Sequence, residues 1–499
     1  MKNIKIVLFA FLALSYVGLN AQETIEEYKK KEQEKIKQME NQTQDGINRL
    51  QKEYADYVKR HDDEFADYLK QEWNSFEIFA GKEKPLKPKP KDIPVANPNE
   101  LPKNPAIIKP KDIQTPVLPN LKPKPSDSIR KPAEDKPNGN IANFEFYGTT
   151  ISVPCDIEMA HCNIASINEE GVAGFWNKAS KTNYTPAVEN LLKLKADLNL
   201  NDYAYYLLVK KFSKALYASN DNLEQLMCWF IMVRSAYGVR VAIQNTKIVL
   251  LIPANQSIYE LSYLNIDRIN YYVFPSLNSG SIYTYNRDYS SSSSAIDFNI
   301  PSSLNISEKR GEKKLTFEFE NKNYTFNASY NTSIIDFYKD YPLVDLSVYF
   351  NAAVSMQANK SLTHALKPII STMNEITAVN FILHFVQTTF SYKTDDEQFG
   401  KEKFFFAEEV LFYPYSDCED RAVFFSYLIH ELLGLKVVGL NYPDHIATAV
   451  AFSSPQSGDY LLFKNLKYSI ADPTYINAKV GMSMPQYKNV SPIVIEIKK

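Results

Sequence analysis

The sequence predicts an α+β multidomain chain, and three observations carry that reading. Its 499 residues hold 33 Tyr and 29 Phe against 15 Gly, which suits aromatic-rich sheet better than flexible polymer. A block with 14 of the 27 prolines separates a charged helical stretch from everything after it. Downstream, one helix–glycine–strand order occurs twice at a constant offset of 196 residues. The two copies are Asp221-Asn222…Tyr237-Gly238-Val239 and Asp417-Cys418…Leu433-Gly434-Leu435. A formal net charge of −2 gives no reason to expect nucleic acid as a partner.

Residues 1–21 read as an export signal. Lys2 and Lys5 precede an apolar run from Ile6 to Leu19, and Leu19-Asn20-Ala21 offers a cleavage point before Gln22. The run is about 14 residues, short of the roughly 20 that span a bilayer. The expectation is a cleaved signal, a periplasmic or secreted product and no transmembrane span in the mature chain. An uncleaved anchor is the competing reading.

Residues 23–80 predict one long amphipathic helix. Ile25, Tyr28, Ile36, Met39, Ile47, Leu50, Tyr54, Tyr57, Phe65, Tyr68, Phe76 and Phe79 recur in steps of threes and fours. Coiled-coil self-association or docking on an envelope partner would use that stripe, although Glu32, Thr43 and Glu72 interrupt it. Residues 82–137 predict a basic, polyproline-like spacer, since proline removes amide donors and fixes φ.

Residues 140–276 predict an α+β domain, with helices near Pro186–Leu198, Tyr203–Leu216 and Asp221–Gly238. It is the candidate degenerate copy: Asn222 stands where Cys418 stands, and Lys247–Ile252 supplies no histidine. Chance recurrence of a common order is the alternative. Residues 277–349 predict a β-rich module, a small sandwich, with a hairpin at Leu315–Phe319 and Tyr324–Ala328. Residues 361–499 form the last unit.

Export permits disulfides. Cys155 and Cys162 are near enough in sequence to bridge, and His161 between them makes a metal site the weaker alternative. Cys228 sits in an apolar helical run and reads as a buried thiol. That leaves Cys418 as the odd cysteine.

Cys418 follows Ser416 and Asp417, both good N-cap residues. It precedes a helix whose buried face is Ala422, Phe425, Ile429 and Leu432 and whose stop is Gly434. Unpaired amides and the helix dipole favour a thiolate in a first turn. Glu419 and Asp420 oppose that effect and Arg421 offsets it, so a base is needed. His445 opens the apolar run Ile446–Phe452, and Asp472 ends a strand before Pro473. The three residues are spaced 27 and 27 apart. In a meander of strands His445 and Asp472 would share one edge, where the carboxylate could orient the imidazole.

Asp417-Cys418-Glu419-Asp420-Arg421-Ala422, Gly434-Leu435-Lys436-Val437, Pro443-Asp444-His445 and Asp472-Pro473-Thr474 together resemble the transglutaminase-like superfamily, a papain-like thiol fold. Glu408-Glu409-Val410-Leu411 is similar to its lead-in, and the likeness covers roughly residues 361–486. It implies Cys418 as nucleophile, His445 as base, Asp472 as orienter, and acyl transfer on peptide or isopeptide amides, by a peptidase or a cross-linker. The Cys418 amide is one oxyanion donor, and Gln398, Tyr413 or Tyr415 could add the second. No cofactor or metal is required, and the partner expected is a peptide or protein substrate. The rival reading is a non-catalytic binding or scaffold protein of the cell envelope that keeps the fold.

Overall fold

The computed structural model describes residues 2–71, 73–79, 81, 93–99, 101–102, 104–111, 129–133, 139–218, 220–276 and 280–498, with side chains from residue 27. The protein is mixed α+β. Helix α1 (Lys2–Leu69) begins before the expected stretch and stops well short of Ala80. Its backbone is helical through the export-signal residues, whose side chains lie outside the described ones. Lys70 and Gln71 turn the chain, and the Trp73 indole donates to the Leu69 carbonyl at 2.6 Å. Strand β1 (Trp73–Glu77) then pairs with Ser281–Tyr285. Phe76, counted in the helical stripe, is therefore a strand residue, because an available sheet edge overrode helical periodicity. Along α1 itself the stripe is exposed at Tyr28, Met39 and Leu50.

Among its described residues, the proline-rich segment is partly paired with the second sheet and is not only the polyproline-like spacer expected. Strand β2 (Ile107–Ile108) pairs in parallel with Tyr460–Phe463. The Ala106 amide donates to Asp459 Oδ1 at 2.7 Å, and Ala96 and Ile476 are joined backbone to backbone at 2.8 Å. Prolines flank these few residues without interrupting them, so short ladders survive at an edge. Residues 82–92, 112–128 and 134–138 of the segment lie outside the described residues.

A hairpin, β3 (Gly139–Phe146) and β4 (Thr149–Asp156), opens the next part. It leads through α2 (Ile157–His161), α3 (Glu169–Ala179), α4 (Thr185–Asp197) and α5 (Asp202–Leu216) to α6 (Asp221–Arg234). Asn168, Asn201 and Asn220 cap α3, α5 and α6, each side chain accepting an amide three residues on. Strands β5 (Arg240–Gln244), β6 (Lys247–Pro253), β7 (Tyr263–Ile266), β8 (Ile269–Phe274) and β9 (Ser281–Tyr285) follow. They form an antiparallel sheet in the order β1-β9-β5-β6-β8-β7.

Residues 277–349 do not make a separate sandwich. Strand β9 belongs to the first sheet, and residues 332–351 are largely helical, as α7 (Thr332–Lys339) and α8 (Leu346–Asn351). The expected hairpin is present as β10 (Arg310–Phe319) and β11 (Lys322–Asn331). It lies on α9 (Met356–Ile370) and α10 (Glu375–Thr389): Phe317 meets Phe381 and Phe385 at 5.3 and 5.0 Å. Aromatic alternation gave the strands correctly but not their partner, which is helical. One apolar core runs from Phe65 through Ile495, and no boundary falls at 276 or 361.

The chain continues through β12 (Ser391–Tyr392), α11 (Asp395–Phe399), α12 (Glu409–Phe412) and β13 (Tyr415–Ser416) to α13 (Cys418–Leu433), which ends at Gly434 with φ +66°. Strands β14 (Lys436–Asn441), β15 (Ile446–Ala451), β16 (Tyr460–Phe463), β17 (Leu466–Ala471) and β18 (Ile493–Glu496) complete a second sheet, ordered β18-β14-β15-β17-β16-β2. The five strands after α6 and the five after α13 thus take the same order, all antiparallel within each set. Asn222 lies in the first turn of α6, as Cys418 does in α13.

Glu408 fastens these parts together. Its carboxylate accepts the Asn331 amide at 2.7 Å, the Ser355 amide at 2.9 Å and the Ser355 hydroxyl at 2.8 Å, pinning the N-caps of α7 and α9. Burial still raises this carboxyl above its ordinary range. Its contribution to stability is therefore largest below the unfolded value of about 4.3 and declines as pH rises through the folded value. Glu408→Ala, which strands three buried donors, is expected to cost about 3 kcal/mol in urea unfolding at neutral pH. A cost below about 1 kcal/mol would show that the donors find other partners.

Candidate active site

Helix α13 sets the nucleophile position. Asp417 is the N-cap, and its amide donates to Asp420 Oδ2 at 3.1 Å, so the first turn is held from within. Cys418 is the first helical residue and is 1% exposed. Its thiol donates to Glu419 Oε2 at 3.0 Å. Asp417, Glu419, Asp420 and the nearby Asp395 are all buried. The Phe405 amide donates to Asp420 and the Lys403 amide to Asp395. Their oxygens approach to within 4.8 Å in overlapping groups, one of which includes the Cys418 sulfur.

The opposing cation is Arg421, 1% exposed. Its guanidinium donates to the Phe390 carbonyl, to the Gln387 carbonyl at 3.4 Å and to Ser416 Oγ at 3.3 Å. These carbonyls terminate α10, where a cation is favoured by the helix dipole. Burial lowers the Arg421 pKa to about 10, with Tyr392, Asp417 and Asp420 opposing the shift. It stays charged at neutral pH.

His445 ends the four-residue loop Tyr442–His445 between β14 and β15, whose last pair is Asn441 with Ile446. Asp472 directly follows β17. The strands are not a simple meander: β17 inserts between β15 and β16 and pairs antiparallel with β15. The start of β15 therefore abuts the end of β17, and His445 Nε2 meets Asp472 Oδ2 at 2.8 Å. The other carboxylate oxygen, Oδ1, accepts the Thr474 and Tyr475 amides at 2.9 and 3.2 Å. Gln387 on α10 donates to the Asp472, Tyr475 and Ala478 carbonyls, fixing the loop from behind.

With Nε2 committed to Asp472, the other ring nitrogen remains. His445 Nδ1 is buried and has no hydrogen-bond partner among the described residues. The imidazole is stacked on Tyr487 at 5.1 Å and faces Tyr442 at 6.4 Å. Burial raises the Tyr487 phenol far above its usual value, and its Asp444 hydrogen bond, Cys418 and Asp472 add to the shift. Cys418 and Asp472 are thus both within electrostatic reach of the ring that covers His445.

The second-donor candidates are less unified. Tyr413 is drawn into an aromatic group, stacked on Phe405 at 4.7 Å with Lys403 5.0 Å from its ring, and its pKa is pushed up to about 12 by burial. Tyr415 lies in β13 beneath Lys393, and Gln398 on α11 has a buried Oε1 without a hydrogen-bond partner among the described residues. The proposed Cys155–Cys162 bridge is not formed. Both are buried free thiols, and Cys162 Sγ instead donates to the Glu158 carbonyl at 3.4 Å. Cys228 is a buried free thiol as expected.

The supporting residues missed from sequence are Gln387 and Tyr487. Tyr442 adjoins Pro443-Asp444-His445 in sequence, but only the fold reveals its stacking on the imidazole. The protein matches no known family, no curated protein and no solved structure.

Proposed function

We propose that the protein is an exported thiol acyl-transfer enzyme of transglutaminase-like architecture acting on peptide or isopeptide amides. Cys418 attacks the amide carbonyl and passes its proton to His445 Nδ1, and the imidazolium then protonates the departing amine. Water or a second amine resolves the acyl-enzyme and releases Cys418. The observation that carries this reading is the His445–Asp472 pair at 2.8 Å with Nδ1 unpartnered in a buried site. A carboxylate that holds one imidazole nitrogen fixes the tautomer, which leaves the other nitrogen free to take a proton.

A second reading is favoured by one observation: the thiol is buried and bonded to Glu419. A carboxylate acceptor stabilises the thiol over the thiolate, as a binding or scaffold protein would tolerate. Iodoacetamide labelling of Cys418 against pH separates the two. The enzyme reading expects half-reaction well below about 8.5, moved upward by His445→Gln, whose amide can still donate to Asp472. Half-reaction near that value, unmoved by the substitution, supports the scaffold reading.

A further inference from the structure

The first sheet holds a cleft where the second holds the Cys418 centre. It is formed by the start of α6, the β5–β6 turn and the segment after β8, and its volume is about 1180 Å³. The corresponding elements of the second sheet carry Cys418, His445 and Asp472. Each chemical position is changed. Asn222 occupies the helix start, and its amide group is used structurally: Oδ1 accepts the Ile248 amide at 2.9 Å and Nδ2 donates to the Thr246 carbonyl at 3.1 Å. The β5–β6 connection closes in two residues, Asn245-Thr246, so nothing stands in for the loop that carries His445. Pro275 follows β8 where Asp472 follows β17. The triad is dismantled but the cleft persists.

Its lining suits a ligand with both acceptors and donors. Lys210 and Lys214 lie one turn apart on α5, with Lys211 beside them and Lys247 across the cleft. Three carboxylates share the lining, Asp221, Glu224 and Asp340, and Asp340 is engaged by the Tyr147 hydroxyl at 2.7 Å. Gln225 is 7% exposed, and its buried Oε1 has no hydrogen-bond partner among the described residues. A buried carbonyl oxygen of this kind is costly unless a donor arrives. A carboxylate cannot supply that donor; an amide N–H can. The volume lies just above the roughly 300–1,000 Å³ of a small-ligand pocket, which leaves room for a few residues of an extended chain.

We propose that this cleft binds acidic peptide segments, with Lys210, Lys214 and Lys247 taking side-chain carboxylates and Gln225 Oε1 accepting a backbone N–H. The choice of peptide over acidic glycan rests on the amide-directed reading of the second sheet. The binding itself does not depend on Cys418.

The test is fluorescence anisotropy of the full chain with a fluorescein-labelled Ala-Glu-Ala-Glu-Ala peptide, its lysine counterpart and a uronate tetrasaccharide competitor. Saturable binding is expected, about tenfold or more in favour of the glutamate peptide and weakened by salt. Lys214→Glu with Lys247→Glu, both at exposed positions, should weaken it about tenfold with the melting temperature unchanged. Gln225→Leu should weaken it as well, and Cys418→Ala should leave it intact, so an inactive thiol would not affect the outcome. Equal binding of the two peptides, indifference to the lysine substitutions, or capture of the uronate alone would overturn the proposal.

Discussion

A Cys418→Ala chain is expected to lose amide acyl transfer by about 10³-fold or more while keeping its fold. The side chain sits in a packed first turn and its thiol donates to Glu419 Oε2, so its removal takes one neutral donor from that carboxylate and breaks no ion pair. His445→Ala is the poorer probe. It would strand the Asp472 carboxylate, whose Oδ2 is committed to the imidazole in a site that is 2% exposed, and stability would fall with activity. The measurement is mass-spectrometric trapping of an acyl-enzyme from envelope peptides. An adduct of equal yield on the Cys418→Ala chain would place the chemistry elsewhere.

Arg421→Met is expected to cost about 3–5 kcal/mol in denaturant unfolding. The guanidinium satisfies the terminal carbonyls of α10, reaches Ser416, and is the buried cation beside Asp417 and Asp420. Methionine fills much of the volume but supplies neither donors nor charge. A loss under about 1 kcal/mol would mean that the neighbouring carboxyls neutralise themselves by taking up protons. Repeating the melt at low pH distinguishes that case, since the penalty should shrink as those carboxyls protonate.

Much of the candidate site was legible because its signals are local. Asp417 and Gly434 bracket α13 by capping chemistry, and the Asp-Pro of 472–473 marks a strand end. The apolar run after His445 has the length of a buried strand, which is β15. What escaped depends on contacts between distant residues. Gln387 looks like any polar helix residue, yet it holds three carbonyls of the Asp472 loop. Glu408 was matched only as part of a lead-in, although it joins two helix caps far from it in sequence. Trp73–Glu77 followed a helical stripe and became strand because β9 offered unpaired backbone. The repeated order at 196 residues was visible in the helix and its stop, whereas the shared strand order required the pairings.

The two short strands before residue 139 have a consequence for solubility. In the first sheet β1 covers β9, and in the second β2 covers β16. By the shared strand order these are opposite edges, since β9 corresponds to β18 and β16 to β7. Each cover is brief, and β2 is flanked by prolines that cannot extend the ladder. A chain cut before residue 139 would bare a row of backbone donors and acceptors on each sheet, and bare edges of that kind recruit other chains. Strands β1 and β2 therefore cover those edges, and a fragment that begins ahead of β1 is expected to aggregate less than one that begins at residue 139.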